Sequence, residues 1–251
     1  WKSQDAGVTF NPIFDDYCQS IGAIAVSPSD PDNTLWVGTG ETWTRNSVTI
    51  GDGIYTSSDA GKSWKKMGLE KSERISAIEI HPKNNNVVYA GVLGALWSNS
   101  AERGVFKTTD GGKTWNKIHT GFPAGKLGRI AVAVAPSNNN ILYAVVEAEK
   151  DKGLYRSDDG GANWKFLNGD FALVVRPFYF SRITIDPKNA DIVYKAGLFG
   201  SISRDGGKTF KGMGAMHSDI HDMWVDPNYS ERVLVATDGG VYRSMNYATT
   251  L

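Results

Sequence analysis

Thr108-Thr109-Asp110-Gly111-Gly112-Lys113-Thr114-Trp115 supplies the frame on which the rest of the chain is built: Ser/Thr, any residue, Asp, any residue, Gly, any residue, Ser/Thr, aromatic. The frame returns at Ser57–Trp64, at Ser157–Trp164 with Asn163 in the hydroxyl position, and at Ser203–Phe210. A further copy, Ser3–Phe10, opens the chain, and a decayed one, Ser244-Met245-Asn246, stands near its end. The short Asp side chain hydrogen-bonds the backbone that follows it, and the Gly two positions on accepts dihedrals closed to other residues. Asp5, Asp59, Asp110, Asp159 and Asp205 therefore read as structural corners of hairpins. The ring that ends each copy is placed to anchor one repeat on the next.

Between corners lies a second phrase, an alternating apolar strand, a Pro-led polar turn and another apolar strand. It appears as Ile24–Pro28 before Leu35–Val37, Ile78–Pro82 before Val87–Ala90, and Val132–Pro136 before Ile141–Ala144. The remaining copies are Ile183–Pro187 before Ile192–Tyr194 and Met223–Pro227 before Val233–Ala236. Each unit thus holds four short antiparallel strands, A to D, with the Pro turn joining A to B and the Asp corner joining C to D. Four-stranded repeats of about 40 to 50 residues without helical periodicity predict an all-β propeller. The expectation is a single domain over 1–251, with blades at about 20–68, 74–118, 127–167, 180–213 and 216–251. Residues 1–14 form a partial blade or a closing strand. Two arrangements stay open: a closed five-blade ring, or a fragment of a larger propeller in which Trp1-Lys2-Ser3 and Tyr242-Arg243-Ser244 do not share one place. A start at Trp1 rather than Met points to a segment removed upstream.

The 251 residues carry 27 basic and 27 acidic side chains, so no basic stripe argues for nucleic acid. No apolar run reaches the roughly 18 residues of a membrane-spanning helix. The lone Cys18 excludes an intramolecular disulfide, and no cofactor motif is present; Gly38-Thr39-Gly40-Glu41 precedes no helix, so it is no phosphate loop.

Strand order predicts that Asp corners and Pro turns share one end of each blade, and that the long B–C and D–A loops gather at the other. Function concentrates on such loops. The ligand-binding candidates there are Trp43, Arg45, Trp97, Arg103, Arg176, Tyr179, His217 and His221, a mixture of rings and cations that suits a peptide or a glycan. A bland alternative has Trp43 and Trp97 covering their own loops. In an extended strand His217, Asp219 and His221 would share a side and offer a divalent-metal set; the competing reading has them bonded to one another and to the backbone. Glycoside hydrolysis would need two carboxylates about 5 to 9 Å apart, with Glu41, Glu102, Asp219 and Asp222 as candidates.

The corner is the Asp-box, or BNR repeat, and the chain resembles bacterial Asp-box propellers similar to sortilin-type receptor domains and, more distantly, to xyloglucan-cleaving hydrolases. Val37–Glu41, Gly51–Tyr55, Glu102–Lys107, Arg176–Tyr179 and His217–His221 carry the closer match. That resemblance implies an extracytoplasmic, secreted or periplasmic protein, with further blades or a larger parent assembly. The sialidase Arg-Ile-Pro phrase and arginine cluster are not evident, and neither xyloglucanase Asp is placed by motif. The leading expectation is a non-enzymatic peptide- or glycan-binding module; the alternatives are a glycoside hydrolase or part of one, and a subunit of a larger assembly.

Overall fold

The computed structural model describes residues 1–43, 48–214 and 216–250. The first blade comprises β1 (Ile21–Val26), β2 (Leu35–Thr39), β3 (Ile54–Ser57) and β4 (Lys65–Lys66); the second comprises β5 (Ile75–Ile80), β6 (Val88–Val92), β7 (Gly104–Thr108) and β8 (Asn116–Lys117). The third has β9 (Leu127–Val134), β10 (Leu142–Ala148), β11 (Gly153–Ser157) and β12 (Lys165–Asn168). The fourth has β13 (Arg182–Ile185), β14 (Val193–Ala196), β15 (Ser201–Ser203) and β16 (Lys211–Gly212). The fifth is three-stranded among the described residues, with β17 (Ile220–Val225), β18 (Val233–Thr237) and β19 (Gly240–Ser244). Four sheets follow the A-B-C-D order expected of propeller blades and the fifth its A-B-C part, and the one helical element among the described residues is a 3-10 turn at Phe171–Val174.

The chain forms two compact units, Trp1–Asn116 and Lys117–Leu251. In unit 1 the core is built from Trp36, Ile54, Ile75, Ile78, Val88 and Phe106. Unit 2 has one cluster around Tyr143, Val145, Leu154 and Val193, and a second around Tyr194, Ile220, Val225 and Val235. Second strands such as β6 are buried along their whole length, as a continuous apolar run requires when both faces of a sheet are covered. Each large side chain buried in this way contributes about 1.5–3 kcal/mol.

The corner is a small closed network. Thr108 Oγ1 donates to Asp110 Oδ1 at 2.8 Å and accepts from Gly112 N at 2.9 Å. Thr114 donates its N–H to Oδ1 at 3.0 Å and its hydroxyl to Oδ2 at 2.6 Å. The same set of bonds recurs around Asp5, Asp59, Asp159 and Asp205. These donors, the following side chain foremost, hold the four carboxyls down to about 2, and that of Asp110 lower still. In the decayed copy the network survives with an amide: Thr250 N donates to Asn246 Oδ1 at 2.9 Å, and Asn246 Nδ2 donates to Thr250 Oγ1 at 2.9 Å. Tyr247 and Ala248 there take positive φ, 56° each; the first position is also non-glycine in two other copies, Ala6 and Ala60, and the second is Gly in all the others.

Each corner also donates a backbone N–H to its own blade's A–B turn, as in Gly111 to Asn86 O at 3.0 Å, Gly206 to Asp191 O at 2.9 Å and Tyr247 to Glu231 O at 2.9 Å. Corners and Pro turns therefore share an end of the blade. The corner ring reaches backwards along the chain: Trp115 Nε1 donates to Met67 O at 2.7 Å, and Trp64 Nε1 to Ile13 O at 2.6 Å. The amino-terminal segment supplies its own third and fourth strands in miniature, since Lys2 bridges Asn11, while β19 pairs with β18. Among the described residues the partial blade or closing strand expected of residues 1–14 is reduced to that bridge.

Candidate functional site

In unit 1 the loop end is held by two arginines. Arg74, 5 % exposed, reaches Glu73 Oε2 at 2.8 Å, Gly94 O at 3.4 Å and Val48 O at 3.4 Å. Arg103 donates to Leu93 O at 2.6 Å, to Ser98 O at 3.3 Å and to Ala95 O. Its guanidinium is thus engaged in shaping the 93–98 loop, which leaves Trp97 81 % exposed. The reading in which Trp97 covers its own loop is corrected by that exposure. Trp43 is half-buried, as are Glu41 and Glu102, and Glu41 donates its N–H to Thr49 O at 2.9 Å. Arg45 lies outside the described residues.

In unit 2 the loop end gathers more chemistry. Asp170 caps the 3-10 turn through Ala172 N at 2.9 Å, and the chain then reverses at Arg176, whose φ is 46°. Arg176 lies over the rings of Tyr179 and Phe180, 5.6 and 5.4 Å from their centroids. The Tyr179 ring meets His221 edge-on at 5.4 Å, and His221 Nε2 bonds Asp238 Oδ1 at 2.6 Å. Arg176, Tyr179 and His221, expected on one face, therefore form one shelf.

His217, Asp219 and His221 do not converge as an extended strand would have them. Asp219 sits at φ 60°, and the β17–β18 register shifts between Ile220 and Asp222, so the period-two alternation breaks. His217 Nδ1 turns to Ser218 O at 2.9 Å. No group of three potential metal ligands is found among the described residues. Asp222 accepts from Arg182 Nη1 at 3.1 Å through Oδ2, and from Met223 N at 2.9 Å through Oδ1.

Beside the shelf lies a cationic cluster that sequence reasoning missed. Arg129 is 4 % exposed and donates to Phe178 O at 2.9 Å, while its own N–H is taken by Glu147 Oε2 at 2.7 Å. Burial first, then the nearby Arg182, lowers its pKa to about 10, with Glu147 opposing. Lys195, 1 % exposed, donates to Ala196 O; burial and then Arg129 bring its pKa down to about 8. The signal was present in the sequence as a cation inside an apolar strand, Arg129 in β9 and Lys195 in β14. Among the described residues Arg129 and Arg182 have the carboxylates Glu147 and Asp222 as neighbours, and the cluster with Lys195 attracts an anion.

Residues 52–196, more than half of the chain, match the Sortilin-Vps10 family model, described as sortilin, neurotensin receptor 3. No curated protein matches the sequence. Among solved structures, the chain is similar to the Niastella koreensis GH74 enzyme, with a TM-score of 0.70 at 17 % identity over 98 % of this chain and 41 % of that one. It is similar to the GH74 xyloglucanase from Xanthomonas campestris, with a TM-score of 0.60 at 19 % identity over 93 % of this chain and 38 % of that one. A third likeness is to YCF48 bound to D1 peptide, with a TM-score of 0.53 at 17 % identity over 91 % and 64 % of the two chains. The chain therefore spans about two-fifths of the two GH74 enzymes and under two-thirds of YCF48. At such identities the likeness is one of fold.

Proposed function

The chain belongs to the Sortilin-Vps10 family, and on that premise we propose that it is an extracytoplasmic propeller module that binds an acidic peptide at the loop end of unit 2. The observation that carries this reading is the buried pair Arg129 and Lys195, with Arg182 beside it, next to a shelf of Arg176, Tyr179 and His221. A peptide's carboxylate meets the exposed Arg182, drawn by the positive field of the buried Arg129 and Lys195 behind it, and its apolar side chains lie on the rings. The family description names a peptide receptor, and YCF48 was solved with a peptide; both lend support. An extracytoplasmic location fits that family, and no helix among the described residues is long and apolar enough to cross a membrane.

A hydrolase needs one carboxyl free to donate a proton and one free to attack or activate water. Asp222 has both oxygens engaged, so it suits charge balance better than catalysis. The test is fluorescence anisotropy with a labelled Asp/Glu-rich peptide against its Asn/Gln counterpart. The acidic peptide is expected to bind at least about tenfold more tightly, equivalent to one charge-assisted hydrogen bond. Equal affinity for the two would overturn the reading.

A further inference from the structure

The corner end of unit 1, where the strand order leaves only turns, carries a groove of about 840 Å³, within the roughly 300–1,000 Å³ of small-molecule sites. One wall is the amino-terminal segment and the other is the Ala60–Lys62 corner with Asp32 of the adjacent turn. The wall is built, not draped. Lys2 bridges Asn11 and donates its ammonium to Ala60 O at 2.9 Å. Trp64 Nε1 holds Ile13 O at 2.6 Å, and a side chain at Gly61 would meet Ile13 Cδ1 at 2.8 Å. Beneath lies an aromatic floor, in which Phe14 stacks on Tyr17 at 4.9 Å and meets Trp64 edge-on at 5.1 Å.

The rim combines the carboxamides of Gln4 and Asn11 with the carboxylates of Asp15, Asp16 and Asp32. None of these three carboxylates bonds a described residue, whereas both oxygens of the neighbouring corner carboxylate Asp59 are engaged. We propose that this groove binds a neutral oligosaccharide. Hydroxyl groups donate to the free carboxylates and accept from the carboxamides, and the C–H groups of the sugar rest against the half-buried Tyr17, which the buried Phe14 and Trp64 rings hold in place. A metal ion would use the carboxylates alone, and they are not grouped for one. A polycation would leave the carboxamides and the floor without a role, and it would meet Lys2 and Lys62 on the same rim. The site is separate from the peptide site proposed in unit 2.

The experiment is two-dimensional NMR of the whole chain titrated with cellotetraose, xylotetraose, chitotetraose and tetralysine. Saturable shifts of the Trp64 indole N–H and the Asn11 carboxamide with at least one tetrasaccharide are expected, unchanged by added salt because the ligand is uncharged. Asp32→Ala should weaken that binding about tenfold at an unchanged melting temperature, with Asp16→Ala as the second variant should the first disturb the fold. The proposal is overturned if no tetrasaccharide moves these resonances. It is equally overturned if tetralysine alone moves them and salt abolishes the effect.

Discussion

Arg182 and Asp222 stand at equivalent places in the first strands of the fourth and fifth blades, each five residues before its turn proline, and their side chains meet at 3.1 Å. The repeat itself thus sets a cation against an anion at the edge of the proposed peptide site. Both side chains are largely exposed, 42 and 58 %, so the pair contributes at most about 1 kcal/mol to stability. Its larger effect is on how much of Arg182 remains for a ligand. Arg182→Ala should weaken acidic-peptide binding, and Asp222→Ala should strengthen it, each with a melting temperature close to that of the unmodified chain. Anisotropy titrations of the two variants check the opposed signs; a shift in the same direction would remove Arg182 from the site.

Thr108 is fully buried, and its hydroxyl joins Asp110 to Gly112 N. Thr108→Val keeps the shape and deletes the oxygen, leaving the Gly112 N–H without its acceptor. Urea unfolding should show a loss of about 1–3 kcal/mol. Peptide affinity of the folded fraction should not change, because this corner contributes no residue to the shelf.

The corner carboxyls make the fold sensitive to acid. Their pKa values are depressed in the folded chain, so their contribution is fully present above the ordinary Asp value of 3.8 and is lost as pH falls towards about 2. Asn246 shows that an amide completes the same network. Asp205→Asn should therefore lower the melting temperature modestly at pH 7, and the gap to the unmodified chain should narrow by pH 3. Thermal scans across that interval test it; a gap that widens in acid would contradict the assigned charge state.

Lys195 has the opposite slope. Burial lowers its pKa from 10.5 to about 8, so between those values the unfolded chain binds a proton that the folded chain does not, and stability rises with pH. Lys195→Met should remove that rise and, at pH 7, be more stable on the order of 1–3 kcal/mol. The difference between the two chains, measured by denaturant unfolding from pH 7 to pH 10, isolates this group from the other titrations. A constant difference would mean that Lys195 keeps its proton in the folded chain as in the unfolded one.

The blades were legible because their signals are local: an Asp and a Gly at fixed spacing, a Pro after an alternating strand, and a ring at the end of each corner. The shared end of corners and Pro turns followed from strand order alone. Arg176, Tyr179 and His221 lie together, as loops between strands of known order place them at one end of the blades. His217, Asp219 and His221 do not share a side because the chain is not extended through Asp219, whose positive φ accompanies hydrogen bonds from Asp219 N and Ile220 N to Leu198 O and Gly197 O. Those partners lie about 20 residues away and carry no local mark. Arg103 was read as a ligand contact, and its three carbonyl partners emerge only once the loop is folded. Arg129 and Lys195 were hidden differently: the repeat reads them as strand positions, and only the packing around them turns two ordinary cations into a strained pair.

The closing corner carries a consequence for how such chains change over time. Its amide does the work of the carboxylate, and its alanine accepts the twist that in every other copy falls to glycine. A codon for Asp becomes one for Asn by a single base change, so a blade can pass out of its own signature without passing out of the fold. Lineages of this kind lose the spelling before the shape, and an ancestral count of blades is better taken from the pattern of donors and acceptors than from the letter Asp.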